Sequence, residues 1–179
     1  MPQHSKDYSV VGEQSPDGVK LLISMLVRYP QIGTISFDSD ANSLKFTFII
    51  SDVLTEEDYE GLKEFIYSSI DSYHSLLQIS KCLARIDIYS YDEVSMLTIA
   101  RDVSSLTCGE ITLIVDILSE QFADCLAADM MDDDMIGNED VMINDEIIEN
   151  ILKKVRKQND NNKSLIGIRE DGRVFVFNK

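Results

Sequence analysis

The stretch IGTISFDSDANSLKFTFIIS, residues 32–51, decides the fold. Two β-prone runs, Ile32 to Asp38 and Leu44 to Ser51, flank Ser39-Asp40-Ala41-Asn42-Ser43, whose small polar side chains favour a turn. This pattern predicts an antiparallel hairpin. In the second run Leu44, Phe46, Phe48 and Ile50 alternate with Lys45, Thr47 and Ser51, so the period of two buries one face and wets the other. Helices must cover the buried face.

The flanking segments supply them. Ser15-Pro16-Asp17 predicts a helix start, with Ser15 as cap, Pro16 at the first helical position and Asp17 at the positive end. The helix runs to Tyr29 and is stopped by Pro30. Its stripe of Val19, Leu22, Ile23 and Leu26 is widened by Leu21 and Met25. Downstream, Thr55-Glu56-Glu57-Asp58 resembles a capping box with Asp in the place of Glu or Gln, and Leu62, Phe65, Ile66, Ile70, Tyr73 and Leu77 carry helical spacing to about Ser80. A second hairpin, Cys82 to Ser90 and Glu93 to Val103, is suited to extend the sheet. Thr107-Cys108-Gly109-Glu110 has the form of a capping box and opens a third helix reaching about Asp129, with Leu113 and Ile117 widening its apolar stripe. Two broad apolar helices point to a further surface that must be buried, for which a twofold homodimer is the commonest arrangement.

From residue 129 to residue 144 the chain is acidic and Met-rich without clean periodicity, which predicts a linker. Asn144 then caps a helix with Ile148, Ile151, Leu152 and Val155 on one face, acidic residues early and basic residues late, as the helix dipole favours. After a polar spacer, Asn159 to Lys163, the runs Leu165 to Glu170 and Arg173 to Asn178 surround Asp171-Gly172, a strong two-residue hairpin signal. Pairing across that turn sets Glu170 opposite Arg173, Ile168 opposite Phe175 and Ile166 opposite Phe177, an apolar face expected to dock on the body, the preceding helix or another chain. The fold class is therefore α+β: a two-layer arrangement of helices on an antiparallel sheet built from two hairpins, plus a C-terminal helix and β-hairpin. Residues 1–128 form an acidic core domain, 129–144 a linker and 145–179 a basic accessory unit.

Charge divides the chain within the accessory unit, between residues 152 and 153. Residues 1–152 hold 8 basic and 29 acidic residues, and residues 153–179 hold 8 basic and 3 acidic, within a total of −16. An acidic body repels nucleic acid and anionic lipid, so the tail's Lys153, Lys154, Arg156, Lys157, Arg169 and Arg173, with Phe175 and Phe177, form a candidate interaction set directed at the body, a dimer mate or a protein partner. No apolar run is long enough to cross a membrane, and no basic start leads into an apolar stretch. Cys82, Cys108 and Cys125 are odd in number and unpaired by spacing, which fits a cytoplasmic protein.

Motifs for chemistry do not assemble. The eight glycines form no phosphate loop or dinucleotide fingerprint, and no Gly-x-Ser-x-Gly is present. No cofactor is expected. His4 and His74 belong to no metal spacing. A Ca²⁺ loop placed on Asp132, Asp134 and Gly137 fails because Ile136 and Ile143 stand where oxygen ligands belong. The carboxylate pairs Glu56 with Glu60, Glu60 with Glu64 and Asp116 with Glu120 read as solvated helix faces. The order helix, hairpin, helix, hairpin, helix over residues 16 to 129, with its acidity, is similar to small dimeric secretion-chaperone-like domains, a resemblance that implies partner binding rather than catalysis. The leading expectation is a noncatalytic cytoplasmic homodimer acting in protein interaction or regulation. The alternatives are nucleic-acid binding through the basic tail, and an enzyme whose site draws on dispersed carboxylates, Tyr residues and His74.

Overall fold

The computed structural model describes residues 16–80, 82–128, 144–157 and 164–179. The Ser15 cap, most of the expected linker with its rejected Ca²⁺ loop, His4 and the spacer before the last hairpin lie outside them. The described elements are α1 (Pro16–Arg28), β1 (Thr34–Asp38), β2 (Ser43–Ile50), α2 (Glu56–Leu77), β3 (Ala84–Tyr91), β4 (Val94–Asp102), α3 (Cys108–Gln121), α4 (Asp145–Lys157), β5 (Leu165–Glu170) and β6 (Arg173–Asn178). The six strands form one antiparallel sheet in the order β3-β4-β2-β1-β5-β6. Helices flank it, giving the expected α+β architecture.

The two N-terminal hairpins join through β2 and β4, with Phe46 facing Ile99 and Phe48 facing Leu97. Their common apolar side, including Ile35, Phe37, Leu44, Phe46, Leu97 and Ile99, is fully buried beneath the helices. The Thr55 cap of α2 works as a reciprocal box: the Thr55 hydroxyl accepts from the Asp58 N–H at 3.2 Å, and the Asp58 carboxylate accepts from the Thr55 N–H at 3.0 Å. Helix α3 stops at Gln121, short of the expected Asp129. The chain instead turns back so that Cys125 O accepts from Ser51 N–H at 2.8 Å and Ala127 N–H donates to Ile49 O at 2.9 Å. Backbone groups beyond the helix thus gain partners at the end of β2.

The C-terminal hairpin continues the sheet. β5 pairs with β1 through Ile35 opposite Gly167 and Phe37 opposite Leu165. Its own register is the predicted one, Glu170 opposite Arg173, Ile168 opposite Phe175 and Ile166 opposite Phe177. Asp171 and Gly172 both have positive φ, 50° and 71°, as a two-residue hairpin turn of the primed type requires. The docking face differs from the expectation. Leu165, Gly167 and Val176 are the buried members, while Ile166, Ile168, Phe175 and Phe177 lie on the opposite side. The reason is helix approach: a Cβ at Gly167 would sit 2.9 Å from Leu26 Cδ1 and 3.4 Å from Leu22 Cβ, so α1 packs closely only on the side without side-chain bulk.

The width of α1 also has an explanation within the chain. Leu21, Leu22, Met25 and Leu26 are all completely buried. Helix α4 packs along α1 and touches α3, inserting Ile148, Ile151, Leu152 and Val155 into the same core. The apolar excess read as a dimer surface on α1 is therefore consumed by the chain's own C-terminal helix.

Candidate interaction surface

Polar chemistry concentrates at one buried point. Arg101 occupies an inward position of β4 in line with Leu97 and Ile99, and it is 1% exposed. Its Nε donates to Glu110 Oε1, and Nη2 donates to Glu110 Oε2 at 2.9 Å and to Ser105 Oγ at 3.1 Å. Nη1 donates to Leu83 O at 3.0 Å and to Asp102 Oδ1. All five guanidinium donors are thereby matched. Glu110 comes from the first turn of α3 and is completely buried; His74, near the end of α2, places Nε2 2.7 Å from Glu110 Oε2. A ring nitrogen at that distance from a carboxylate oxygen donates, which assigns the ring proton to Nε2.

Two members of this cluster are held in their charged forms, Arg101 and Asp102. Burial disfavours the Arg101 cation, but the paired Glu110 carboxylate outweighs burial and raises the guanidinium above its ordinary range. Burial also opposes ionisation of Asp102; hydrogen bonds from the Ser105 and Ser104 hydroxyls and the Leu83 N–H, together with Arg101, hold it well below the usual carboxylate range. The arrangement ties α2, β4 and α3 together, and neither Arg101 nor Glu110 is open to a reactant. Sequence reasoning missed both: Glu110 was assigned to a capping box, yet only the Thr107 half forms, with its hydroxyl accepting from Glu110 N–H at 3.2 Å. The available signal was an Arg at an inward position of an alternating strand.

A second buried polar group joins α1 to α3. The Tyr29 hydroxyl lies 2.9 Å from Thr112 Oγ1 and 3.0 Å from Cys108 Sγ. Burial raises the Tyr29 hydroxyl far above its ordinary value. Burial, with Asp145 and Glu149 nearby, pushes the Cys108 thiol up to about 11, so the thiolate needed for nucleophilic work is scarce at neutral pH. Among the described residues, no group of His, Cys, Asp and Glu is placed to hold a metal ion.

The eight tail residues expected to form one interaction set separate into three groups. Arg156 donates from Nε to Val103 O at 2.8 Å and from Nη2 to Leu106 O. Arg169 donates from Nη1 to Pro30 O at 2.8 Å and Ile32 O at 2.7 Å, and from Nη2 to Leu26 O, closing the carbonyl end of α1. Both arginines face the body, and their hydrogen bonds are to backbone carbonyls. Acidic contacts run in the other direction: Asp145 of α4 pairs with Arg28 at 3.1 Å, and Glu149 accepts from the Cys108 N–H at the positive end of α3. Lys153, Lys154 and Lys157 lie exposed on α4. Arg173, Phe175 and Phe177 belong to the opposite side of the sheet, which none of the described helices covers.

That open side has a defined pattern. Strand register aligns Asp87, Thr98, Thr47, Thr34, Ile168 and Phe175 in one row and Arg85, Ala100, Lys45, Ser36, Ile166 and Phe177 in the next. A shorter row joins Tyr89, Met96 and Ile49. The centre is polar, β3 adds Arg85 and Asp87, and apolar side chains gather at the corner formed by Tyr89, Tyr91 and Met96 and at the β5–β6 end. Tyr91 is 75% exposed and Tyr89 62%, beside Met96 at 40%; on the far wing the Phe175 and Phe177 rings stack with centroids 6.3 Å apart. Among the described residues no helix is long and apolar enough to cross a membrane. No family model, curated protein or solved structure matches the chain.

Proposed function

We propose that the protein is a noncatalytic cytoplasmic interaction or regulatory domain that works as a homodimer through the open face of its sheet. The observation that carries this reading is the pair of apolar wings, with Tyr89, Tyr91 and Met96 exposed at one end and Phe177 exposed beside half-buried Ile166, Ile168 and Phe175 at the other. Apolar surface of this kind on a sheet face gains free energy when a second sheet stacks on it. A twofold contact matches each wing with its copy or with the opposite wing. The sealed Arg101–Glu110–His74 cluster is consistent with a structural rather than a catalytic use of the chain's buried ionisable groups. Separation of the basic tail residues leaves only Lys153, Lys154 and Lys157 together on α4, with Arg156 and Arg169 turned to the body, which weighs against nucleic-acid binding by the whole set. Three free cysteines agree with a reducing compartment.

Size-exclusion chromatography with light scattering tests the proposal. The chain of 20.3 kDa is expected to run as a dimer, and Tyr91→Glu with Met96→Glu is expected to run as a monomer with an unchanged circular dichroism spectrum. A monomeric parent protein at high micromolar concentration sinks the reading.

A further inference from the structure

Helix α2 carries a second stripe that its own core does not use. Leu62, Ile66, Ile70 and His74 point inward and are buried. About a third of a turn round the helix, Phe65, Ser68, Ser69, Ser72 and Leu76 line a groove of about 480 Å³ against Leu113 of α3, with Tyr73 on its inner wall. Leu76 is 84% exposed and Phe65 48%. The serines between them form a low floor. Ser69 and Ser72 turn their hydroxyls back onto the carbonyls of Phe65 and Ser68, both at 2.8 Å, and so offer the groove little hydrogen-bonding capacity. Small residues bounded by two large apolar ones, spaced over three helical turns, suit the close approach of another helix.

The rims specify its charge. Glu57, Glu60, Glu64 and Asp71 lie exposed along the outer side of the stripe on α2, and Asp116 and Glu120 lie exposed three and seven positions after Leu113 on α3. We infer that this groove receives a basic amphipathic helix of a protein partner, whose apolar residues sit between Phe65 and Leu76 and whose Lys or Arg residues meet the carboxylate rims. The chain's own basic helix is not the occupant, because α4 has its apolar stripe buried against α1 and α3. An anionic membrane is repelled by the same rims. The inference rests on reading the chain as an interaction domain but uses a surface separate from the sheet face.

The test titrates a fluorescein-labelled Leu/Lys peptide of about 14 residues, with leucines on one helical face, against the full chain by anisotropy. A peptide of the same composition with leucines scattered round the helix serves as control. The one-faced peptide is expected to bind at least about tenfold more tightly than the scattered one, and Leu76→Ser or Phe65→Ser to weaken it about tenfold. Both positions are solvent-exposed, so the thermal midpoint serves as a check that each variant is folded. Glu64→Lys with Asp71→Lys is expected to transfer preference to a Leu/Glu peptide. Equal binding of the two Lys peptides, or binding indifferent to Leu76→Ser, overturns the inference. Light scattering on the same samples separates it from the homodimer reading. A dimer lost in Leu76→Ser without peptide makes the groove a self-contact and overturns it. One-faced binding by a monomeric parent upholds the inference while the homodimer reading falls.

Discussion

On the covered face of the sheet, alternation along β4 carries Arg101 inward behind Leu97 and Ile99; on the open face, alternation along β6 carries Phe175 and Phe177 outward. In each case a side chain's position follows from the strand's register, and its surroundings adapt. Around Arg101 the adaptation is complete: two carboxylates, a serine and a carbonyl match its donors. Around Phe177 it is partial, leaving 37% exposure. A change on the covered face should therefore unfold the protein, and a change on the open face should affect association instead.

The sharpest way to break this contrast is Glu110→Ala, which leaves Arg101 buried without its bidentate partner. We expect a loss of about 3–5 kcal/mol in urea unfolding, with much of it recovered by Arg101→Met combined with Glu110→Leu, since a well-packed apolar pair can replace a buried ion pair. A single-variant loss below about 1 kcal/mol would show the cluster to be unimportant for stability. Arg169→Ala removes the donors that close α1 and is expected to cost about 1.5–3 kcal/mol. Gly167→Val forces α1 off β5 and should cost about 1–3 kcal/mol, measurable as a lower unfolding midpoint at constant slope.

Acid supplies a graded test of the same face. Asp102 is held below its ordinary value of 3.8, so its contribution to stability is fully present above about pH 4 and is lost as pH falls through its lowered folded value. Asp102→Asn should flatten the acid limb of the stability profile; an unaltered limb would assign it to other carboxylates. The smallest effect belongs to the open face. Phe177→Ser should alter unfolding free energy by no more than about 0.5 kcal/mol when the chain is held monomeric, while lowering the dimer fraction at a fixed concentration.

Much of the fold was legible in the sequence because local chemistry and tertiary packing agree there. The Asp171-Gly172 turn fixed the register of its hairpin, and Thr55 with Asp58 marked the start of α2. Which side of the last hairpin meets a helix was not legible. Ile166, Ile168, Phe175 and Phe177 form the larger apolar set, but docking depends on how near α1 can come, and that is decided by Gly167 and by Arg169 reaching the carbonyls beyond Leu26. The Arg101 cluster was hidden for a related reason. Its members are far apart in sequence, and each has an ordinary local reading: Glu110 as a cap, His74 as one residue of a long helix, Arg101 as a polar interruption of a strand. The separation of the basic tail residues likewise depends on strand and helix placement that net charge does not encode.

The pairing of β5 with β1 has a consequence for how the chain reaches this state. Ser39 and Ser164, joined at 3.1 Å where the two strands meet, are 125 positions apart, whereas β1 meets β2 and β3 meets β4 across short turns. Closing so large a loop is slow relative to closing a hairpin. During synthesis and refolding β1 therefore waits with one row of amides and carbonyls unpaired, although in the finished sheet it is an interior strand. That interval, rather than the native edges at β3 and β6, is when the protein is most open to pairing with another chain.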